Sequence, residues 1–317
     1  MRTANHESQV ARQESRPLDV RGVLKTAMGR LREARVPSHT LAAELLLMHV
    51  LGRDRAWLYA HPEEMLEPAS AQQYFELLTR RAAGTPTQYL TGRQEFWGLE
   101  FEVTPDVLIP RPETEHLIEV VLERLGPAQC GEKHGAENPP ALRIADVGTG
   151  SGCLAVALAR ELPAAELMAT DVSAGALAVA RRNAAQHGVA ERIEFVQCNL
   201  LAGFAASWLG MCHSKLDVIV SNPPYVGREE AGALPREVRE HEPAAALYGG
   251  AQGAEIYAPL VEQAAEHLRP RGILVLELGY NVLARVRPLL EGAGYWVKLS
   301  VTKDLAGIPR ILAAERL

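Results

Sequence analysis

The chain has 317 residues, 47% of them hydrophobic, which is enough for two packed domains. Its 33 basic and 39 acidic residues leave a formal charge of −6, so nothing in the balance suggests a surface built to wrap a nucleic-acid backbone. Cys130, Cys153, Cys198 and Cys212 lack metal-ligand or disulfide-framework spacing, the ten histidines form no paired helical set, and no apolar run approaches the ~20 residues that span a bilayer.

From the N-terminus, residues 1–17 are polar and charged, without the apolar core of a signal peptide, and are expected to form a disordered tail. A cytoplasmic, metal-free protein is expected. From Leu18 to Ala83 the apolar spacing is helical. Leu24, Met28 and Leu31 mark one face, and Leu41, Leu45, Met48 and Leu51 another. Ser38 is placed to cap a helix after Pro37, and the stretch Ala71–Ala83 ends at Gly84. This predicts a small domain of four or five helices over 18–83.

Residues 84–105 are rich in Gly, Thr and aromatics. Phe96-Trp97 and Leu99 to Val103 flank Gly98, which predicts a β-hairpin in a linker. IPRPETE, Ile109 to Glu115, then opens a helix with acids in its first turn. Residues 126–140 read as a flexible surface loop. Beyond it, strands at 142–147, 166–170, 192–197, 216–220 and 273–278 alternate with helices at 153–161, 174–187, 254–268 and 282–291. Two last strands fall near 295–301 and 310–314. Such alternation predicts a mostly parallel, doubly wound α/β sheet over 106–317. The short closing connection suggests an antiparallel edge strand.

The sequence Asp146-Val147-Gly148-Thr149-Gly150-Ser151-Gly152 lies where the first strand of this sheet meets its helix. Glycines there let a ligand approach the backbone at the sheet's carboxyl edge. The spacing is GxGxG, not the dinucleotide GxGxxG, and Asp146 precedes it. An acid suits an ammonium better than a pyrophosphate. Asp171 ends the next strand, about 20 residues on, where an acid accepts from both hydroxyls of an adenosine ribose. An adenosine, an ammonium and no phosphate describe S-adenosylmethionine. A purely structural glycine turn is the alternative, and the combination of strand, two acids, glycines and helix weighs against it.

Leu216 to Val220 is followed by SNPPYV, and prolines cannot continue a sheet ladder. Asn222-Pro223-Pro224-Tyr225 should therefore sit at the same sheet edge as the glycine loop. A planar NH₂ nitrogen is a poor nucleophile. Acceptors for both of its hydrogens fix its orientation and stabilise charge growing on it. Asn222 offers a side-chain oxygen and Pro223 a backbone one; the prolines stiffen both, and Tyr225 offers a flat face. A rigid turn with a packed tyrosine is the bland alternative.

The chain resembles the HemK/PrmC family, the methyltransferases that modify the glutamine of the GGQ motif in peptide-chain release factors. The likeness runs through RRAAGTPTQYLTGRQEFWGLEF, LIPRPETEHLIE, ADVGTGSGCLAVALA, ATDVSAGALAVARRNA, SNPPYV, EPAAALYGGAQG and KDLAGIPRIL. It implies a Rossmann-like S-adenosylmethionine-dependent methyltransferase sheet with a small N-terminal helical domain that helps grip the release factor. It implies S-adenosylhomocysteine as product; by default the protein is expected to be a monomer, and its composition leads to no expectation of membrane or stable nucleic-acid binding. It implies that Gly148, Thr149, Gly150, Ser151 and Gly152 hold the methionine part, Asp171 the ribose, and Leu200 the adenine. Asn222 would touch cofactor and substrate, Asn222 to Tyr225 would hold the glutamine amide, and Asn222, Pro223 and Tyr225 would carry catalysis. Asn199, where many members carry an acid, Thr85 and His241 depart from the family pattern. Two other functions compete: methylation of an exocyclic amine in nucleic acid, since the NPPY tetrad is shared with adenine-DNA methyltransferases, and cofactor binding without catalysis.

Overall fold

The computed structural model describes residues 19–126, 141–204 and 215–317. The expected tail, the expected loop apart from Gly126, and Cys130 and Cys212 lie outside the described residues. The chain divides into two compact units, Met1–Thr91 and Gly92–Leu317.

The first unit holds five helices among its described residues: α1 (Val20–Glu33), α2 (His39–Leu51), α3 (Arg55–Ala60), α4 (Pro68–Ala82) and α5 (Thr87–Thr91). Asp19 caps α1 by accepting from Gly22 N at 2.7 Å, and Asp54 caps α3 by accepting from Trp57 N at 2.7 Å. Ser38 occupies the N-cap position of α2, but its backbone is left-handed and its side chain makes no cap bond. The spacing of Val20, Val23, Leu24, Ala27 and Leu31 turns one face of α1 into a core with Leu46, Leu47, Tyr74 and Leu78. The hydroxyl of buried Tyr74 donates to Ala43 O at 3.0 Å.

The second unit opens with the hairpin β1 (Arg93–Phe96) and β2 (Leu99–Glu102). Trp97 and Gly98 at its tip both have positive φ, as a two-residue turn between twisted strands requires. After α6 (Glu115–Leu125), β3 (Arg143–Val147), α7 (Cys153–Glu161), β4 (Glu166–Asp171), α8 (Ala174–Gln186), β5 (Ile193–Gln197) and β6 (Leu216–Ser221) follow. Next come β7 (Val226–Gly227), α9 (Arg236–His241), α10 (Ala244–Leu247), β8 (Tyr248–Gly250), α11 (Tyr257–His267), β9 (Leu268–Glu277), α12 (Leu283–Glu291), β10 (Trp296–Lys303) and β11 (Pro309–Arg316). β7 and β8 form a small parallel pair that alternation in the sequence did not reveal.

Among the described residues, the main sheet has seven strands in the order β10-β11-β9-β6-β3-β4-β5. Five run parallel from β9 to β5, while β11 lies antiparallel between β9 and β10. The reversed strand is therefore one place in from the edge, because a short turn joins it to β10. Both faces are buried. Val218, Val220, Ile273 and Val275 face α6, α7 and α8, whereas Ile219, Leu274 and Leu276 face α11 and α12. From β3 the chain winds outward to β4 and β5, then returns to β6 on the other side. The carboxyl ends of β3 and β6 thus flank a topological switch point, where a doubly wound sheet leaves a crevice.

Candidate active site

A cavity of about 330 Å³ opens at that crevice. Gly148, Thr149, Gly150 and Ser151 line one side, Asp171 and Leu200 another, and Asn222, Pro223 and Pro224 a third. The structure thus brings together nearly all the residues singled out from the sequence. Gly152 and Tyr225 are the exceptions: neither lines the cavity. Gly152 caps α7 with its Cα backed against Ala180, and the Tyr225 ring packs against Gly279.

The glycine loop adopts left-handed backbone at Gly148, Gly150 and Gly152, which is why side chains are disfavoured there. Thr170 O anchors it by accepting from Gly148 N (2.9 Å) and Thr149 N (2.8 Å). Asp171 takes Gly150 N on Oδ2 at 3.0 Å and Ser173 N on Oδ1 at 2.9 Å. Each carboxylate oxygen keeps a lone pair for a ligand hydroxyl. Fully buried Asn183 of α8 donates to Ser151 O at 2.8 Å and exchanges hydrogen bonds with the backbone of Glu102. Loop, helix and hairpin therefore form one block.

Asp146, expected from the sequence to meet a ligand ammonium, lies outside the cavity lining. Its Oδ2 accepts from Thr149 Oγ1 (2.6 Å) and Ala155 N (3.1 Å), so it braces the loop from below. Burial pushes its carboxyl up to about 7, Thr149 and Ala155 pull it down, and the charge of Asp171 adds to the rise. Leu200, on the opposite wall, has a left-handed backbone at φ 51°, an uncommon conformation for a branched side chain, and Gln263 Oε1 holds the following amide at 2.9 Å.

The strand end is fixed from three directions. Ser221 Oγ donates to Val147 O at 2.7 Å, tying β6 to β3. Asn222 Nδ2 donates to Thr114 Oγ1 at 3.1 Å. Gly249 and Gly253 come so close that a Cβ on either would lie 2.1 Å from Pro224 O or 2.2 Å from Tyr225 O. This gives the glycines of the EPAAALYGGAQG stretch a physical reason: they let β8 and the following turn lie against the Asn-Pro-Pro-Tyr backbone. Glu242, at the head of that stretch, pairs with Arg111 at 2.5 Å and accepts from Ile109 N at 3.3 Å. The pair joins two walls of the cavity, Pro110 and Thr114 on one side and Pro243, Ala245 and Ala246 on the other.

Sequence reasoning missed Thr114, Asn183, Arg111, Glu242 and Glu277 as contributors. Glu277 ends β9 with its side chain buried. Burial pushes its carboxyl up to about 7; hydrogen bonding from Thr114, the charge of Arg310 and hydrogen bonding from Tyr225 oppose this, while Glu113 adds to it. Among the described residues, no group of three His, Cys, Asp or Glu side chains could hold a metal, and no helix is long and apolar enough to cross a membrane.

Comparison with known proteins assigns the class. The catalytic domain of hMettl16, in complex with MAT2A 3'UTR hairpin 6, superposes with a TM-score of 0.53 at 20% identity, over 75% of this chain and 81% of that one. Residues 135–238 match the methyltransferase small domain, and residues 22–92 match the PrmC N-terminal domain. The sheet is thus that of a Rossmann-like methyltransferase. Two proteins named release factor glutamine methyltransferase match nearly end to end. That of Koribacter versatilis is 42% identical over 92% of this chain and 96% of its own length. That of Nitratidesulfovibrio vulgaris is 40% identical over 94% and 95%. The chain belongs to the release factor glutamine methyltransferase family.

Proposed function

We propose that this enzyme transfers a methyl group from S-adenosylmethionine to the side-chain amide nitrogen of the glutamine in the GGQ motif of peptide-chain release factors. The observation that carries this reading is the Asn222-Pro223 edge on the same cavity as the glycine loop and Asp171. Family membership supplies the substrate class.

The residues present fit the donor. Above Gly148 and Gly150 the space is open. Asp171 keeps acceptor capacity for ribose hydroxyls, and Leu200, Val172 and Cys198 offer an apolar slot for a base. Among the described residues, no Lys or Arg lines the cavity, which agrees with a cofactor that carries no phosphate. Bound there, S-adenosylmethionine would supply an electrophilic methyl carbon. Asn222 Oδ1 and Pro223 O accept the two hydrogens of the substrate amide and aim its nitrogen. Their partial negative charges favour the positive charge that grows on nitrogen during transfer, and their rigidity means little reorganisation is required. No strong general base is needed, because the methylated nitrogen is acidic enough to release its proton afterwards. Tyr225 supports the strand end from behind, and its ring offers a face to the amide only if it turns away from Gly279. The helical first unit is assigned a part in gripping the release factor, and the protein is taken to act in the cytoplasm as a monomer.

An adenine amine also presents two hydrogens in a plane, so nucleic acid is the arm against which this is tested. Purified release factor and duplex DNA are each incubated with the protein and S-adenosylmethionine and analysed by mass spectrometry. One methyl on the GGQ glutamine and none on adenine supports the assignment. Methyl on adenine, with the glutamine unchanged, overturns it.

A further inference from the structure

We infer that Tyr248, and not Tyr225, supplies the aromatic wall against which the substrate amide is held. This rests on the Asn222-Pro223 edge being where that amide binds.

A planar amide gripped by two acceptors still has two uncovered faces. A ring against one of them limits its tilt, and the negative face of the ring favours the positive charge growing on nitrogen. Tyr225 is the neighbour in sequence, yet the fold sends its ring elsewhere. It packs with the cluster that contains Leu276, Leu278 and Val282. A Cβ on Gly279 would lie 2.7 Å from Tyr225 Cδ2, so the ring rests on the backbone between β9 and α12 and not on the cavity.

Tyr248 arrives from a later part of the chain. It opens β8, whose parallel pairing sets it opposite Val226, the residue after Tyr225. Gly249, next to it, lets β8 close on the turn, since a Cβ there would lie 2.1 Å from Pro224 O. Strand register and close approach therefore bring Tyr248 to the strand-end edge, where it lines the cavity together with Asn222, Pro223 and Pro224. The Arg228 guanidinium lies over its ring, 5.6 Å from the centroid. Arg228 directly follows β7, so one short strand pair places both the ring and the cation that restrains it. With one face under Arg228, the other is left for the substrate. Tyr248 is half-buried, held by its neighbours yet open to a ligand.

The test compares two replacements of Tyr248 in release-factor methylation, with S-adenosylmethionine affinity and urea midpoint measured on the same preparations. Tyr248→Leu keeps much of the bulk and removes the ring. Its kcat/KM is expected to fall roughly 3- to 30-fold, the worth of a ring stacked on an amide or a growing cation, with cofactor affinity unchanged. Tyr248→Phe keeps the ring and is expected to retain most of the rate. A wild-type kcat/KM in Tyr248→Leu, or an equal loss in Tyr248→Phe, overturns the proposal. A second measurement holds even if Tyr248→Leu fails to fold. Ring NMR signals of the wild type, assigned by their loss in Tyr248→Phe and Tyr225→Phe, are followed as a Gly-Gly-Gln peptide is added in the presence of S-adenosylhomocysteine. Movement of the Tyr248 signals with those of Tyr225 unmoved supports the wall; movement at Tyr225 alone, or at neither, contradicts it. If the wild type transfers nothing to release factor, the substrate assignment falls by itself. The titration is then run with acetamide, the bare carboxamide: shifted Tyr248 signals support the wall and unmoved ones overturn it.

Discussion

Arg111 and Glu242 stand 131 residues apart in the chain and meet at 2.5 Å beneath the cavity wall. Glu242 is buried, while the Arg111 side chain is 30% exposed. Removing the arginine leaves a buried carboxylate without its main partner, which costs more than the pair contributes. Discounted for the partial exposure of Arg111, Arg111→Ala is expected to lose roughly 1–3 kcal/mol of stability. Urea denaturation measures this, and a change within a few tenths of a kcal/mol would contradict the assigned role. Because the pair ties the walls that carry Thr114 and Pro243, catalysis is expected to fall further than stability requires.

The glycines beside the Asn-Pro-Pro-Tyr turn give a second expectation. A Cβ at Gly249 would sit 2.1 Å from Pro224 O, so Gly249→Ala must displace backbone. A shift of about 1 Å at a reacting group costs on the order of 100-fold in rate. The variant should bind S-adenosylmethionine, as judged by calorimetry, yet transfer poorly. Unchanged transfer would mean the turn does not carry the substrate.

Asp171 has two tasks: it holds Gly150 N and Ser173 N, and it has capacity left for ribose hydroxyls. Asp171→Ala is expected to weaken cofactor binding by roughly 1–3 kcal/mol through lost charged hydrogen bonds. Undiminished affinity in calorimetry would place the ribose elsewhere.

Two buried carboxyls predict a pH dependence of stability. Asp146 and Glu277 have carboxyls raised to about 7 from ordinary values of 3.8 and 4.5. Between those limits the folded chain binds more protons than the unfolded chain. Their contribution to stability is therefore greatest at the acid end and falls as pH rises toward 7. Each group contributes a loss of at most about 1.4 kcal/mol per pH unit in that window. Asp146→Asn combined with Glu277→Gln should flatten the curve, as read from urea midpoints between about pH 5 and pH 8. An unchanged slope would show that neither group carries the proton.

Much of this was legible in the sequence because the signals were local. Glycines at 148, 150 and 152 mark left-handed turns, Pro223 and Pro224 end a strand, and Gly98 marks the hairpin tip. Alternating apolar runs gave the doubly wound sheet. What stayed hidden depends on distant partners. Thr114 meets Asn222 across 108 residues, and nothing near either one announces it. Glu277 at the end of a strand looks like an ordinary solvent-facing acid until the pairing of β9 with β11, Glu277 opposite Ile311, leaves it buried. Asp146 lies outside the cavity lining for a related reason. Its neighbours in the chain suggest a ligand, but the loop folds back so that Thr149 and Ala155 both donate to Oδ2, while buried Oδ1 has no hydrogen-bond partner. The antiparallel strand was anticipated but placed at the edge, because the order of β10 and β11 is set by packing on β9.

The central claim is that the Asn222 side-chain oxygen acts on the substrate amide during transfer and not on the cofactor alone. Single-turnover methylation of release factor by Asn222→Ala, with S-adenosylmethionine affinity measured on the same preparation, tests it most directly. Loss of one preorganised hydrogen-bonding group predicts a rate about 100- to 1,000-fold lower with cofactor binding still measurable. A rate near that of the wild type at saturating cofactor would contradict it.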